Sequence, residues 1–452
     1  MYSHVLSRLF RISVFSIFLS GAIQAAADTQ PSALATADQR EVEALAIRLL
    51  ASPELKKQKE ITRQRFLADP IAKTPDGKAT LQKAVDELAY VMALGAANGD
   101  PARPKVVWYF TAPRVWMGHD VPGSRWGFDN PDNVYRFATV DGKSRYEITV
   151  HPTQPEPVQS SYMLFDSFAG DNTKQRSIWL DEPIAALLDR QIRAGADGSF
   201  KITVDSDPAN GRANHIQSNA DARILMIRNS FTDWRTQSTP QVEIRRIAGP
   251  KAPKPASDKQ LALRAAFLLK SGTDFLSRLN YNAFGVMPFN VLTKPWIRGG
   301  GHGMSSIGKF DLADDEALLV TVDPLGGKYL GFDIADIWTV SREHIAANGS
   351  LNNYQALANP DGSYTYVISA QDPGINNWLD TDGLHQGTIF IRWQGLPAGI
   401  KFTENAVREA KVVKLNELPR LLPAETATVT AEQRQAHYAQ RTLAYAHRYA
   451  PE

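Results

Sequence analysis

Three stretches of this chain carry side chains whose type and spacing suit chemistry. Asp129-Asn130-Pro131-Asp132-Asn133 places four oxygen-bearing side chains within five residues. Hard oxygen donors of this kind hold Ca²⁺, and Asp129 with Asp132 would suit paired acid–base work. Asn-Pro and Asp-Asn are also common turn residues, because their side chains bond their own backbone. The turn is the simpler reading. Gly299-Gly300-Gly301-His302-Gly303-Met304 surrounds a lone imidazole with glycines. Such a loop either presents His302 to a cleft as acid or base, or is a plain flexible connection. Gly303 to Lys309 imitates a phosphate-binding loop, but Phe310 stands where Ser or Thr would hold Mg²⁺. No apolar strand leads directly into it, so that reading is rejected.

The third stretch is aromatic. Trp108, Tyr109, Phe110, Trp116, Trp126, Phe128, Tyr135 and Phe137 fall within 30 residues. Such rings form stacking platforms for sugars or apolar ligands; the alternative is a β core with a domain interface. No H-E-x-x-H, no G-x-S-x-G and no Cys occurs. The nine His show no metal-ligand spacing, so neither a metal nor a cofactor is expected. His344 and His385 read as lone, solvated residues near turns.

The elements that must position these groups include one passage written twice. Asp197-Gly198-Ser199-Phe200 and Asp361-Gly362-Ser363-Tyr364 each precede an Arg, Arg228 or Arg392, by the same 31 residues. Upstream, Tyr162-Met163-Leu164-Phe165-Asp166 matches Tyr329-Leu330-Gly331-Phe332-Asp333. Repetition on this scale marks a duplicated supersecondary unit. Asp-Gly turns between β-branched and aromatic runs make that unit a β-sandwich. Alternation sets Tyr162 and Asp166, like Tyr329 and Asp333, on the face away from the core. The recurrence of Asp166, Asp333, Arg228 and Arg392 predicts one structural Asp–Arg pair per copy.

Helical patterns surround the β-rich parts. Asp38 to Leu67 is rich in Glu, Arg, Lys, Ala and Leu, and Leu81 to Ala97 repeats apolar residues close to one face. Gly249 to Pro255 is a stiff linker, Ser257 caps a following helix, and Thr430 with Gln433 makes a capping box. The organisation expected is a helical segment over 28–100, a first sandwich over 101–249, and a linker with helix over 250–299. A second sandwich over 300–400 and a helical tail over 401–452 follow. The class is β-rich α+β.

Composition narrows the setting. Arg8 and Arg11 precede an apolar run from Ile12 to Ile23, and Ala25-Ala26-Ala27 offers a cleavage site, so residues 1–27 read as an export signal. The run is shorter than the roughly 20 apolar residues of a spanning helix, and no membrane insertion is expected after cleavage. A periplasmic or secreted protein is expected. The absence of Cys excludes a disulfide scaffold. The formal charge of +2 loses both signal arginines on cleavage, which gives no reason to expect nucleic acid as a partner.

Trp126-Gly127-Phe128-Asp129-Asn130-Pro131-Asp132 with Tyr135-Arg136, and Gln371 to Thr381 with Ile391-Arg392-Trp393, resemble signatures of the DUF 1214 family, which has a DUF 1254-like relationship. The resemblance spans about Leu81 to Pro397. It implies two jelly-roll-like β-sandwich units and supplies no reaction. The expectation is a neutral or weakly charged small molecule or glycan bound in a cleft of this scaffold. Trp126, Trp338 and Trp378 would stack on it, with Arg136 as a further contact. Asp129 and Asp132 would accept hydrogen bonds. Two alternatives stay open: a hydrolase of a glycan or amide using Asp129 or Asp132 with His302, and a purely structural or assembly module.

Overall fold

The computed structural model describes residues 32–168, 182–279, 284–400 and 405–449; the expected export signal lies outside them. Six helices occur among the described residues: α1 (Ala37–Leu50), α2 (Pro53–Leu67), α3 (Pro75–Ala97), α4 (Asp258–Leu279), the single turn α5 (Leu418–Leu421) and α6 (Ala431–Ala446). The expected Asp38–Leu67 helix is broken at Ser52-Pro53. Ser52 Oγ accepts from the Leu55 N–H as the cap of α2, and Pro53 takes its first position, where no N–H is needed. Thr430 and Gln433 form the expected capping box of α6.

The first sandwich contains β1 (Val107–Tyr109), β2 (Asn133–Thr139), β3 (Arg145–His151), β4 (Gln159–Phe165), β5 (Ala185–Leu188), β6 (Phe200–Asp205), β7 (His215–Gln217), β8 (Ile224–Ser230) and β9 (Gln241–Ala248). The second contains β10 (Met304–Asp311), β11 (Glu316–Val322), β12 (Tyr329–Ala335), β13 (Ser350–Asn352), β14 (Tyr364–Ser369), β15 (Trp378–Asp380), β16 (Gln386–Gln394) and β17 (Val407–Lys414). Sheet order is β1-β2-β8-β4-β5 over β9-β3-β6-β7 in the first. It is β10-β16-β12-β13 over β15-β14-β11-β17 in the second, with short strands at 291–292 and 296–297 flanking β10. Adding eight to each strand from β2 to β9 generates the second order from the first. Even the parallel pair recurs, β6 with β7 and β14 with β15. The second sandwich runs past the expected limit at 400, because β17 in the presumed helical tail pairs with β11.

Inside each sandwich the two sheets close on an apolar core. Tyr146, Ile148, Tyr162, Leu164, Ile202 and Leu225 fill the first; Leu318, Leu330, Phe332, Ile334, Tyr366 and Ile391 fill the second. This corrects the upstream alignment. Ser161 pairs with Arg228, and Gly331 with Arg392, so Tyr162 corresponds to Phe332 and Met163 to Asp333. Tyr162 therefore faces the core, and the first copy has Met163 where the second has the carboxylate of an Asp–Arg pair.

The opposite faces of the sheets containing β8 and β16 are covered too. Phe137, Met163 and Met226 from one, and Ile307 and Phe390 from the other, join α1 to α4 in one cluster. Helix α3 lies at its centre and is buried from Ala84 to Leu94 on nearly every side except Asp86. An all-round apolar helix belongs inside a protein, and burying each Leu or Met contributes roughly 1.5–3 kcal/mol. Helix α4 packs against α2 and α3, so the linker helix and the N-terminal helices form one body.

A cleft above the Asp132 clasp

The segment Trp126–Asn133 runs between the two sandwiches. Gly127 N donates to Thr339 Oγ1 at 2.9 Å, and Asn130 Nδ2 donates to Tyr329 Oη at 2.8 Å. Asp132 closes the junction: its carboxylate accepts from Trp234 Nε1 at 2.8 Å, Tyr329 Oη at 2.8 Å and Asn352 Nδ2 at 2.7 Å. Trp234 belongs to the first half and the other two to the second. Burial raises the Asp132 carboxyl above its ordinary range, opposed by the Tyr329 and Asn352 hydrogen bonds. Asp129 accepts from Ser341 Oγ at 2.8 Å, and burial pushes it up to about 7.

These carboxylates are saturated clasps. Among the described residues, no hydrogen bond joins Asp129, Asp132 and His302, and no group of three or more His, Cys, Asp or Glu suits a metal ion. His302 is buried, its Nδ1 is 2.8 Å from Gly299 O, and burial followed by Arg228 drives its basicity well down. Gly303 to Lys309 begins beside β10 and continues along it, which gives a phosphate no cradle. His344 is buried against Tyr445 rather than solvated.

The aromatic expectations are also corrected. Trp126 is buried between Phe110 and Phe275. Trp338 stacks on Phe66 at 4.8 Å and donates to Gly77 O at 2.7 Å. Trp378 donates to Ser369 Oγ at 3.0 Å beneath the Arg434 guanidinium, 5.1 Å from the ring. Arg136 donates to Pro240 O at 2.7 Å and Asn229 Oδ1 at 2.8 Å, and burial lowers it to about 10. All four are buried among the described residues. Residues of α4, α2 and α6 cover the three rings, and apolar rings covered in this way are more stable dry than wet.

A different set of residues does line a cleft. After β8, the turn Thr232–Arg235 meets the segment following β13 and the face of α6, enclosing about 430 Å³. Trp234 and Arg441 form its inner side, with the guanidinium 4.4 Å from the ring. Tyr354 stands at the rim, 51% exposed, with the Arg235 guanidinium 5.5 Å from its ring. Asn348, Gln355, Asn376, His437 and Gln440 contribute polar groups. His437 is held below its ordinary basicity by burial and then by Arg434. Asp132, behind the cleft, fixes the Trp234 ring through its indole N–H. Sequence reasoning reached that support and missed the lining. The available signal was Asp233-Trp234-Arg235, which follows a copied strand and has no counterpart after the second copy.

The fold has a relative among solved structures. An uncharacterized protein from Burkholderia cenocepacia superposes with a TM-score of 0.67 at 25% identity, covering 82% of this chain and all of that one. A Vibrio parahaemolyticus protein gives a TM-score of 0.39 at 13% identity, covering 64% of this chain and 90% of its own. No protein-family profile and no curated protein matches the chain.

Proposed function

We propose that this is an exported binding protein that takes a neutral or weakly charged small molecule or glycan in the cleft between Trp234, Tyr354 and α6. The cleft carries the reading. Its 430 Å³ falls within the range of about 300–1,000 Å³ typical of ligand sites, and it lies where two units meet, a common place for one. A half-exposed tyrosine ring amid several side-chain amides suits hydroxyl-rich ligands: the ring packs against C–H faces while the amides donate and accept. Hydrolysis has weaker support, since Asp129 and Asp132 are buried and engaged by their own neighbours.

Membership of the DUF 1214 group belongs to the same proposal, supported by the Trp126–Arg136 and Gln371–Trp393 motifs and by the twin sandwiches. Calorimetric titration with a panel of oligosaccharides tests binding, and N-terminal sequencing of protein from a periplasmic extract tests export. Binding that Tyr354→Ala weakens by up to about tenfold, in a chain beginning at Asp28, is expected. A panel without any heat, or a chain that keeps residues 1–27, would count against the corresponding half of the reading.

A further inference from the structure

A second concentration of polar groups lies inside the molecule, on the β16 side of the seam between the halves. On one sheet face, Ser305 of β10 and Gly331 of β12 flank Arg392 of β16. Gln394 follows on the same face of β16, and Asp333 pairs with the Arg392 guanidinium. His302 enters from the glycine turn ahead of β10, and its imidazole interacts electrostatically with Arg392. Gln394 Cγ lies 3.2 Å from where a Cβ on Gly303 would stand, which puts the amide beside the His302 turn.

Five of these residues are at least 98% buried: His302, Ser305, Asp333, Arg392 and Gln394. Each has polar atoms without a hydrogen-bond partner among the described residues: His302 Nε2, Ser305 Oγ, Asp333 Oδ2, Arg392 Nε, and both Nε2 and Oε1 of Gln394. Native proteins leave only a few such groups per hundred residues, so six unpartnered atoms on five neighbouring side chains is a concentration that points to a ligand.

The inventory selects its chemistry. Nδ1–H of His302 donates to Gly299 O, so Nε2 of the neutral ring offers only a lone pair. Asp333 Oδ2 and Gln394 Oε1 also accept, Arg392 Nε and Gln394 Nε2 donate, and Ser305 Oγ does either. An ionised dicarboxylate brings no donors and would leave three acceptors unmet, and hydrogen phosphate brings one or two at most. Hydroxyl groups donate and accept at once.

The glycine turn supplies the approach. Gly300 and Gly301, immediately before His302 in the chain, are exposed. Gly300 has φ of +73°, and a Cβ there would fall 2.6 Å from Met163 Cε of the first sandwich. The turn therefore needs glycine to seat against the other half while carrying His302 inward.

We infer that this buried polar cluster at the seam is a binding site for a small neutral polyol of monosaccharide size or less, held by His302, Ser305, Asp333, Arg392 and Gln394. It is separate from the outer cleft and does not depend on that reading. The test is calorimetric titration of the full exported chain with ribose, glucose and myo-inositol, with phosphate and succinate as anion arms. Ser305→Ala and Gln394→Met remove partners of no other described group, so both variants are expected to fold.

Saturable binding of at least one polyol is expected, weakened about tenfold by either variant, as loss of one or two hydrogen bonds implies, and unchanged in Tyr354→Ala. Binding that Tyr354→Ala weakens while Ser305→Ala and Gln394→Met leave it unchanged would assign the polyol to the outer cleft and overturn the inference. Absence of polyol binding, or binding of the anions alone, would also overturn it.

Discussion

Asn214 and Asn377 hold one place in the two halves. Asn214 Oδ1 accepts from Arg193 N and its Nδ2 donates to Arg193 O, both at 2.8 Å. Asn377 does the same to Leu357, at 2.8 and 2.7 Å. In each case the asparagine's backbone carbonyl also receives the first strand's N–H, from Thr203 or Val367, both at 3.0 Å. A planar amide here ties the parallel strand to the segment before it, twice.

Asn214→Ala and Asn377→Ala are each expected to destabilise by about 2–4 kcal/mol, since both lose the two bonds to the preceding segment and leave peptide groups unpaired, and Asn377 also loses its bonds to Thr365 O and from Asn376 Nδ2. Urea unfolding followed by tryptophan fluorescence measures it. Similar losses are expected at the two sites; a cost confined to one would show that the halves are not energetically equivalent.

Tyr354→Ala separates binding from stability. The ring is half exposed, so unfolding free energy should stay within about 0.5 kcal/mol. Affinity for the outer-cleft ligand should fall by about 0.5–1.5 kcal/mol, the worth of one aromatic contact.

Asp333 and Arg392 form a buried ion pair, and Arg392 Nη2 also donates to Phe128 O at 2.5 Å. Asp333→Asn leaves the guanidinium without its counter-charge and should cost about 3–5 kcal/mol. Removing both charges in Asp333→Leu with Arg392→Met should cost less than that single change, in the same urea measurement. A double variant worse than Asp333→Asn would refute the account.

Asp129 makes stability pH-dependent in the direction opposite to a salt-bridged carboxylate. Burial pushes it to about 7, above the usual 3.8. The native state then binds a proton that the unfolded chain has released between these values, so stability falls as pH rises from about 4 to about 7. Above pH 7 the effect is constant. Asp129→Asn cannot titrate, so melting curves at pH 5 and pH 8 should differ by less in the variant than in the parent. An unchanged difference would place the titration elsewhere.

The sequence by itself determined the duplication and the features that depend on near neighbours. Asp197 and Asp361 each accept from the serine two residues on, at 3.0 Å from its N–H, and Thr430 with Gln433 caps α6. Contacts over two or three residues are set by local geometry, so spacing alone reveals them. Only the tertiary structure decided which faces are dry and which residues meet. The partners of Asp132 lie 102, 197 and 220 residues away, and α1 to α4 cover sheet faces that strand alternation leaves unassigned. Trp126, Trp338 and Trp378 share residue type with Trp234, yet only Trp234 reaches the cleft. Burial depends on what packs against a side chain from elsewhere in the chain, and no local pattern contains that information.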